Sequence, residues 1–207
     1  MKTRSTIKAI VFDVGGVLLK TEDDSSRREL EKVYNLPSGS VDNLVFDSEP
    51  ARASTIGQAS QDAVWDFVAE RLSLTPEALT SFIEAFWDGD RFDRDLIQFF
   101  HECRSEYSTA LLSNAWMGFR QVLENGAGII EEKTVDHILI SSELGVAKPE
   151  KRIYQILANT VNCGYDEILF VDDFFENIRV AETLGIKVIH YNPEMNLINE
   201  IKSILGR

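Results

Sequence analysis

Basic residues are scarce in this 207-residue chain: 21 Lys and Arg stand against 34 Asp and Glu, a formal net charge of −13. That balance excludes a nucleic-acid groove or an anionic-membrane patch, both of which need clustered cations. An anionic substrate stays open, because one metal ion and one lysine can dominate the field of a small pocket. Cysteine is almost missing. Cys103 falls in a helical stretch and Cys163 near a turn, so each reads as a small core or surface residue rather than half of a disulfide. The three histidines, His101, His137 and His190, are scattered without ligand spacing and receive no role. No apolar run approaches the roughly 18 residues of a membrane span, and no basic-apolar-small leader opens the sequence. A soluble, cytoplasmic protein is the expectation. Repeats and low-complexity tracts are absent as well, and no feature specifies an oligomeric state.

Core-forming residues are plentiful. At 44% hydrophobic and 10% aromatic the chain excludes general disorder. Its length suits one large domain, or a core carrying a smaller insert. Five short apolar runs rich in β-branched residues read as strands: 7–12, 108–112, 137–140, 168–171 and 187–191. Helical patterns over 117–123, 149–161 and 177–184 separate the last four, and Gly185 suits a helix C-terminus. Strand and helix in alternation predict an α/β fold, a Rossmann-like parallel sheet with helices on both faces.

The stretch from about 21 to 92 breaks the rhythm. It holds no convincing strand but at least three helices. Leu79, Phe82, Ile83, Phe86 and Trp87 recur at helical spacing to form one apolar face, and Thr75-Pro76 caps and starts that helix. Val64, Phe67, Val68 and Leu72 form a similar face one helix earlier. The prediction is an α-helical domain over 21–91 inserted into a core made of 1–20 and 92–207.

Chemistry-bearing residues fall at the ends of the predicted strands. Asp13 closes an apolar run against Gly15 and Gly16; Ser113-Asn114 follows Ala110-Leu-Leu112; Lys148 precedes Pro149; Asp172-Asp173 follows Ile168-Leu-Phe-Val171. Strands of a parallel sheet point one way, so these groups converge on one edge, where open α/β sheets bind ligands. Gathered carboxylates repel, and a hard divalent cation held by oxygen relieves that, Mg²⁺ being the natural choice. A lysine and a hydroxyl beside it suit the oxygens of a phosphoryl group. Taken singly, Ser113-Asn114 reads equally as a helix cap, Lys148 as an exposed loop lysine, and Asp172-Asp173 as the acidic start of a helix.

The ordered set resembles the haloacid dehalogenase superfamily. Phe12-Asp-Val-Gly-Gly-Val-Leu18 is similar to its first motif, Ser113-Asn114 to its second, Lys148-Pro149 to its third and Phe170-Val-Asp-Asp-Phe-Phe-Glu-Asn177 to its fourth. The insert resembles the family's helical cap, and Thr55-Ile-Gly-Gln58 looks like cap sequences of its glucose-1-phosphatase-like branch. The resemblance implies that Asp13 attacks phosphorus to give an aspartyl-phosphate. It implies Mg²⁺ held by Asp13, Asp173 and the Gly15 carbonyl, with Asp172 a ligand or the holder of a metal-bound water. Val14, Gly15, Ser113, Asn114 and Lys148 would bind the phosphoryl group, Lys148 would neutralise Asp13, and Asn177 would orient the last loop. The implied partner is a small phosphorylated metabolite.

One position departs from the pattern. Most of the superfamily's phosphatases place an acid–base Asp two residues after the nucleophile, where this chain has Gly15. Such a group contributes about 10²–10⁴-fold. A good leaving group, a substitute such as Asp47, Glu49 or His101, or loss of catalysis are the three outcomes. The last defines the rival reading, a pseudo-phosphatase that only binds. A true dehalogenase attacks carbon without a metal and has no need of Asp172-Asp173; a receiver domain has its acidic pair at the first strand and its lysine last.

Overall fold

The structure, a computed structural model, describes residues 6–206. In chain order, β1 (Ala9–Phe12) and the short β2 (Leu19–Thr21) precede five helices: α1 (Ser25–Val33), α2 (Val41–Phe46), α3 (Glu49–Thr55), α4 (Gln61–Leu72) and α5 (Pro76–Trp87). Next come β3 (Asp90–Phe92), α6 (Arg94–Cys103), β4 (Ser108–Ser113) and α7 (Phe119–Val122), which runs into a π turn at Leu123–Ala127. Then follow β5 (His137–Ile140), α8 (Ser141–Leu144), α9 (Lys151–Thr160), β6 (Ile168–Asp172), α10 (Phe175–Thr183), β7 (Lys187–His190) and α11 (Leu197–Leu205).

The main sheet has the order β5-β4-β1-β6-β7, and every pairing in it is parallel. β1 is central because its four residues are apolar and buried on both faces. Ile10 and Phe12 point into one layer with α6 and α11; Ala9 and Val11 point into the other with α9 and α10. Phe12 stacks on Phe100 of α6, ring centroids 4.3 Å apart. Burying a side chain of that size contributes about 1.5–3 kcal/mol, so β1 is anchored just before the residue that carries chemistry.

The insert has its own core, built from Leu30, Val41, Val45, Trp65, Phe82 and Phe86. Leu79, Ile83 and Trp87 line its margin, as the helical spacing requires. Ser48, Ser60 and Thr75 each accept a backbone N–H in the first turn of α3, α4 and α5, each cap adding on the order of 1 kcal/mol.

Two sequence expectations fail locally. The 21–92 stretch does contain strand: β2 and β3 pair antiparallel at the mouth of the insert, Leu19 opposite Phe92 and Thr21 opposite Asp90. Three-residue strands reading Leu-Lys-Thr and Asp-Arg-Phe carry no alternation signal; pairing follows from the closeness of the two connections. There a side chain on Gly89 would lie 1.6 Å from the Asp23 carbonyl. The helix expected over 117–123 is α7 plus the π turn, entered through Gly118 in the left-handed region at φ 88°. Among the described residues no helix is long and apolar enough to cross a membrane.

Candidate active site

The carboxyl ends of β1, β4 and β6 and the turn before α9 meet at one edge of the sheet. Asp13 directly follows β1, and its N–H donates to the Val171 carbonyl at 2.8 Å, continuing the ladder toward β6. The Lys148 ammonium lies 2.9 Å from Asp13 Oδ1 and 2.7 Å from Asp172 Oδ2. Lysine and both acids are buried. Asp13, Asp172 and Asp173 each present an oxygen, and the three oxygens lie within 4.8 Å of one another.

Electrostatics follow from this crowding. Burial, reinforced by Asp172, pushes the Asp13 carboxyl up to about 7, against the opposing pull of Lys148 and the Val14 N–H. Burial works against the Lys148 ammonium, yet Asp13 and Asp172 outweigh it and hold its pKa above the ordinary lysine value. Partial desolvation and then Asp172 raise Asp173 as well, although that residue is exposed. Three carboxylates against one ammonium leave the site two charges negative when all are ionised. A divalent cation held by oxygen matches that deficit in charge and in ligand type. Backbone accommodates the cluster too: Gly16, at φ +76°, passes so close to Asp173 that a side chain there would sit 2.0 Å from its Oδ2.

Asp13 Oδ1 accepts the Lys148 contact and the Val14 N–H at 2.6 Å. Both fall on one oxygen, leaving Oδ2 clear of them. The Val14 N–H is therefore committed to the carboxylate and not to a ligand. Asp172 is the most heavily held of the acids: beside Lys148 it accepts the Phe174 N–H at 2.8 Å and the Asn177 amide at 3.1 and 3.0 Å. Asn177 thus grips Asp172, and its own carbonyl accepts the buried Tyr154 hydroxyl at 2.9 Å.

Ser113 ends β4, buried. Asn114 is turned to a different task from ligand binding. Its carbonyl oxygen accepts the Lys148 N–H at 2.9 Å and its amide donates to the Lys148 carbonyl at 2.8 Å, a two-point clamp on the lysine's backbone. Gly15 is exposed, and a side chain built on it would meet nothing within 4 Å.

None of the substitute acid–base candidates is tied to these groups. His101 lies on α6, where its Nδ1 is 3.0 Å from the Thr134 carbonyl, ahead of the amino end of β5. Asp47 and Glu49 are exposed at the α2–α3 junction. His137 begins β5 at that same amino edge. His190, by contrast, reaches the site: its Nε2 is 3.0 Å from the Asp173 carbonyl and its ring leans on Phe175. Sequence spacing could not reveal this, because the contact depends on β7 lying beside β6. The contacts of Tyr154 with Asn177 and of Ser141 with Thr55 and Ala115 likewise depend on how distant elements pack.

A parallel α/β core with a helical insert thus carries a lysine-bridged acidic cluster at the sheet's carboxyl edge. The chain belongs to the haloacid dehalogenase-like hydrolase family, whose pattern it matches over residues 7–185. It is similar in structure to a predicted HAD-like family hydrolase from Porphyromonas gingivalis, at TM-score 0.79 and 20% identity over 98% of this chain and 100% of that one. A HAD family enzyme from Bacteroides thetaiotaomicron, crystallised in complex with magnesium and inorganic phosphate, superposes at TM-score 0.75 and 20% identity over 92% and 96% of the two chains. D-ribitol-5-phosphate phosphatase of that organism is 24% identical over 91% of this chain and 92% of its own length. A dehalogenase crystallised as an intermediate complex shares the fold at TM-score 0.71 and 17% identity, over 99% of this chain and 100% of that one. Some curated relatives are much longer: the match to mouse bifunctional epoxide hydrolase 2, 26% identical, spans 48% of this chain and 18% of that protein.

Proposed function

We propose that the protein is a Mg²⁺-dependent phosphomonoester hydrolase acting on a small phosphorylated metabolite, such as a sugar or polyol phosphate. One observation carries the reading: Asp13, Asp172 and Asp173 gather within 4.8 Å beside a single buried lysine. An attack on carbon has no use for that acidic pair, which favours phosphoryl transfer over dehalogenation. The phosphatase relative and the magnesium–phosphate complex of the structural neighbour support the same choice.

Asp13 and Asp173, with the Gly15 carbonyl, would hold the metal. Bound there, Mg²⁺ supplies positive charge for the acids and the phosphoryl oxygens. The chain's own groups do the rest. Asp13 Oδ2 attacks phosphorus as the P–O bond to the leaving group breaks, giving an aspartyl-phosphate; water then attacks that phosphorus and Asp13 leaves as carboxylate. Lys148 draws Asp13 toward its ionised form against the effect of burial and faces charge developing on the phosphoryl oxygens. Asp172, itself held by Asn177, keeps the ammonium in place, and the Ser113 hydroxyl offers the phosphoryl group a donor.

With glycine at position 15 the leaving oxygen departs without a neighbouring acid, so activated esters such as sugar 1-phosphates are favoured. Gly15 also supports the second reading, a binding module with little turnover. Incubation with Mg²⁺ and p-nitrophenyl phosphate, followed by a panel of sugar and polyol phosphates, separates the two. Metal-dependent release of phosphate that disappears in Asp13→Asn is expected; no release from any ester, or unchanged turnover in Asp13→Asn, would overturn the proposal.

A further inference from the structure

Ser141 is wholly buried at the carboxyl end of β5 and belongs to none of the four motifs. Its hydroxyl donates to the Thr55 carbonyl at 2.6 Å and accepts the Ala115 N–H at 3.0 Å. Thr55 is the last residue of α3 in the helical insert; Ala115 lies two residues beyond Ser113. One hydroxyl therefore ties the insert to the loop that leaves β4 at the candidate site, joining residues 86 positions apart on one side and 26 on the other.

Two further contacts converge on the same junction. Gly57, just past α3 at φ +71°, runs so close to the neighbouring Ser142 that a side chain would fall 2.3 Å from its backbone carbonyl. From the same β4 loop, Trp116 enters the aromatic cluster of the insert, edge-on to Trp65 at 6.0 Å and tilted against Phe46 at 5.8 Å. The insert thus meets the core at three neighbouring points: the Ser141 hydroxyl that also holds the loop after Ser113, the close approach of Gly57 to Ser142, and the Trp116 indole ring carried by that loop.

We infer that Ser141 is a positioning residue: it couples the seated insert to the Ser113–Ala115 loop, so that this loop reaches its ligand-binding geometry only when the insert is docked. Ser141 touches neither the acidic cluster nor Lys148. Removing its hydroxyl leaves a part-buried carbonyl on the insert and a part-buried N–H on the loop without their partner, which the loop relieves by shifting.

The inference rests on the phosphohydrolase reading for its kinetic arm but not for its binding arm. Inorganic phosphate and Mg²⁺ are titrated into wild type and Ser141→Ala by calorimetry, well below the unfolding temperature of each. Phosphate should bind roughly tenfold more weakly to the variant, the scale of two lost hydrogen bonds of ordinary net size. Mg²⁺ affinity should be unchanged, because its proposed ligands lie in the turns that follow β1 and β6. With p-nitrophenyl phosphate, kcat should fall on the same scale. Gly57→Ala, which pushes on the junction from the insert side, should reproduce the pattern, and the double variant should lose less than the product of the two effects. Should Ser141→Ala not fold, Gly57→Ala alone decides.

A variant that melts lower but binds phosphate and turns over as wild type would overturn the inference, as would full multiplicativity of the two substitutions. Wild type that binds phosphate without turnover, with weakened binding in Ser141→Ala, would instead sink the enzymatic reading and uphold the coupling.

Discussion

Replacing Gly15 with Asp tests the proposed mechanism at the place where it departs from its family. Space allows the change: a Cβ at position 15 meets nothing within 4 Å, and the left-handed backbone belongs to Gly16, not Gly15. The new carboxyl would stand two residues from Asp13 on the exposed side of the turn, beside an acidic cluster that raises its pKa and keeps it protonated for donation. A positioned acid is worth about 10²–10⁴-fold, or about 2.7–5.5 kcal/mol of barrier at roughly 1.36 kcal/mol per decade. The gain depends on the leaving group. For p-nitrophenolate, which departs unaided, kcat should rise less than about tenfold, whereas a simple alkyl or polyol phosphate should gain toward the full factor. Steady-state phosphate release from both esters, at saturating Mg²⁺, measures the ratio. Equal gains, or none on the poor leaving group in a variant that folds and binds Mg²⁺, would refute the argument that position 15 lacks the acid.

Lys148→Met should abolish turnover and lower stability by about 3–5 kcal/mol, because it strips the counter-charge from two buried carboxylates; thermal unfolding checks this, and added Mg²⁺ should recover part of the loss. Asp13 makes the metal response depend on pH. Its folded pKa, about 7, stands above the ordinary 3.8, so the folded Mg²⁺-free protein holds a proton there that the unfolded chain has released. Stability from that proton is present below about pH 4 and is lost as pH rises toward 7. Mg²⁺ needs the ionised carboxylate, so the Mg²⁺-induced rise in Tm should grow from pH 5.5 to 7.5 and then level off. An equal rise at both pH values would contradict the assignment of Asp13 as a ligand.

Much of this architecture is legible along the chain because its signals are local. Phe12, Leu111, Ile138 and Phe170 lie in strands whose apolar runs exceed what an exposed strand needs, and all four are buried in the sheet. Thr75-Pro76 carries its own cap and fixed φ, and the helix begins where those residues place it. β2 and β3 were invisible because three residues with charged members have no period; neighbouring connections pair them. Asn114 illustrates the limit at the site. Its place beside Ser113 suggests a ligand contact, yet both ends of its amide are committed to the Lys148 backbone 34 residues away.

Order and identity of Asp13, Ser113, Lys148, Asp172 and Asp173 come from the sequence alone, and so does the direction in which they must converge, since parallel strands end on one edge. Distances come only from the tertiary structure. Lys148 bridging Asp13 and Asp172, Asn177 gripping Asp172, and Ser141 linking Thr55 to Ala115 span from 5 to 159 residues of sequence by contacts of a few ångströms. Such contacts depend on strand order and side-chain direction, neither of which leaves a periodic trace in the chain.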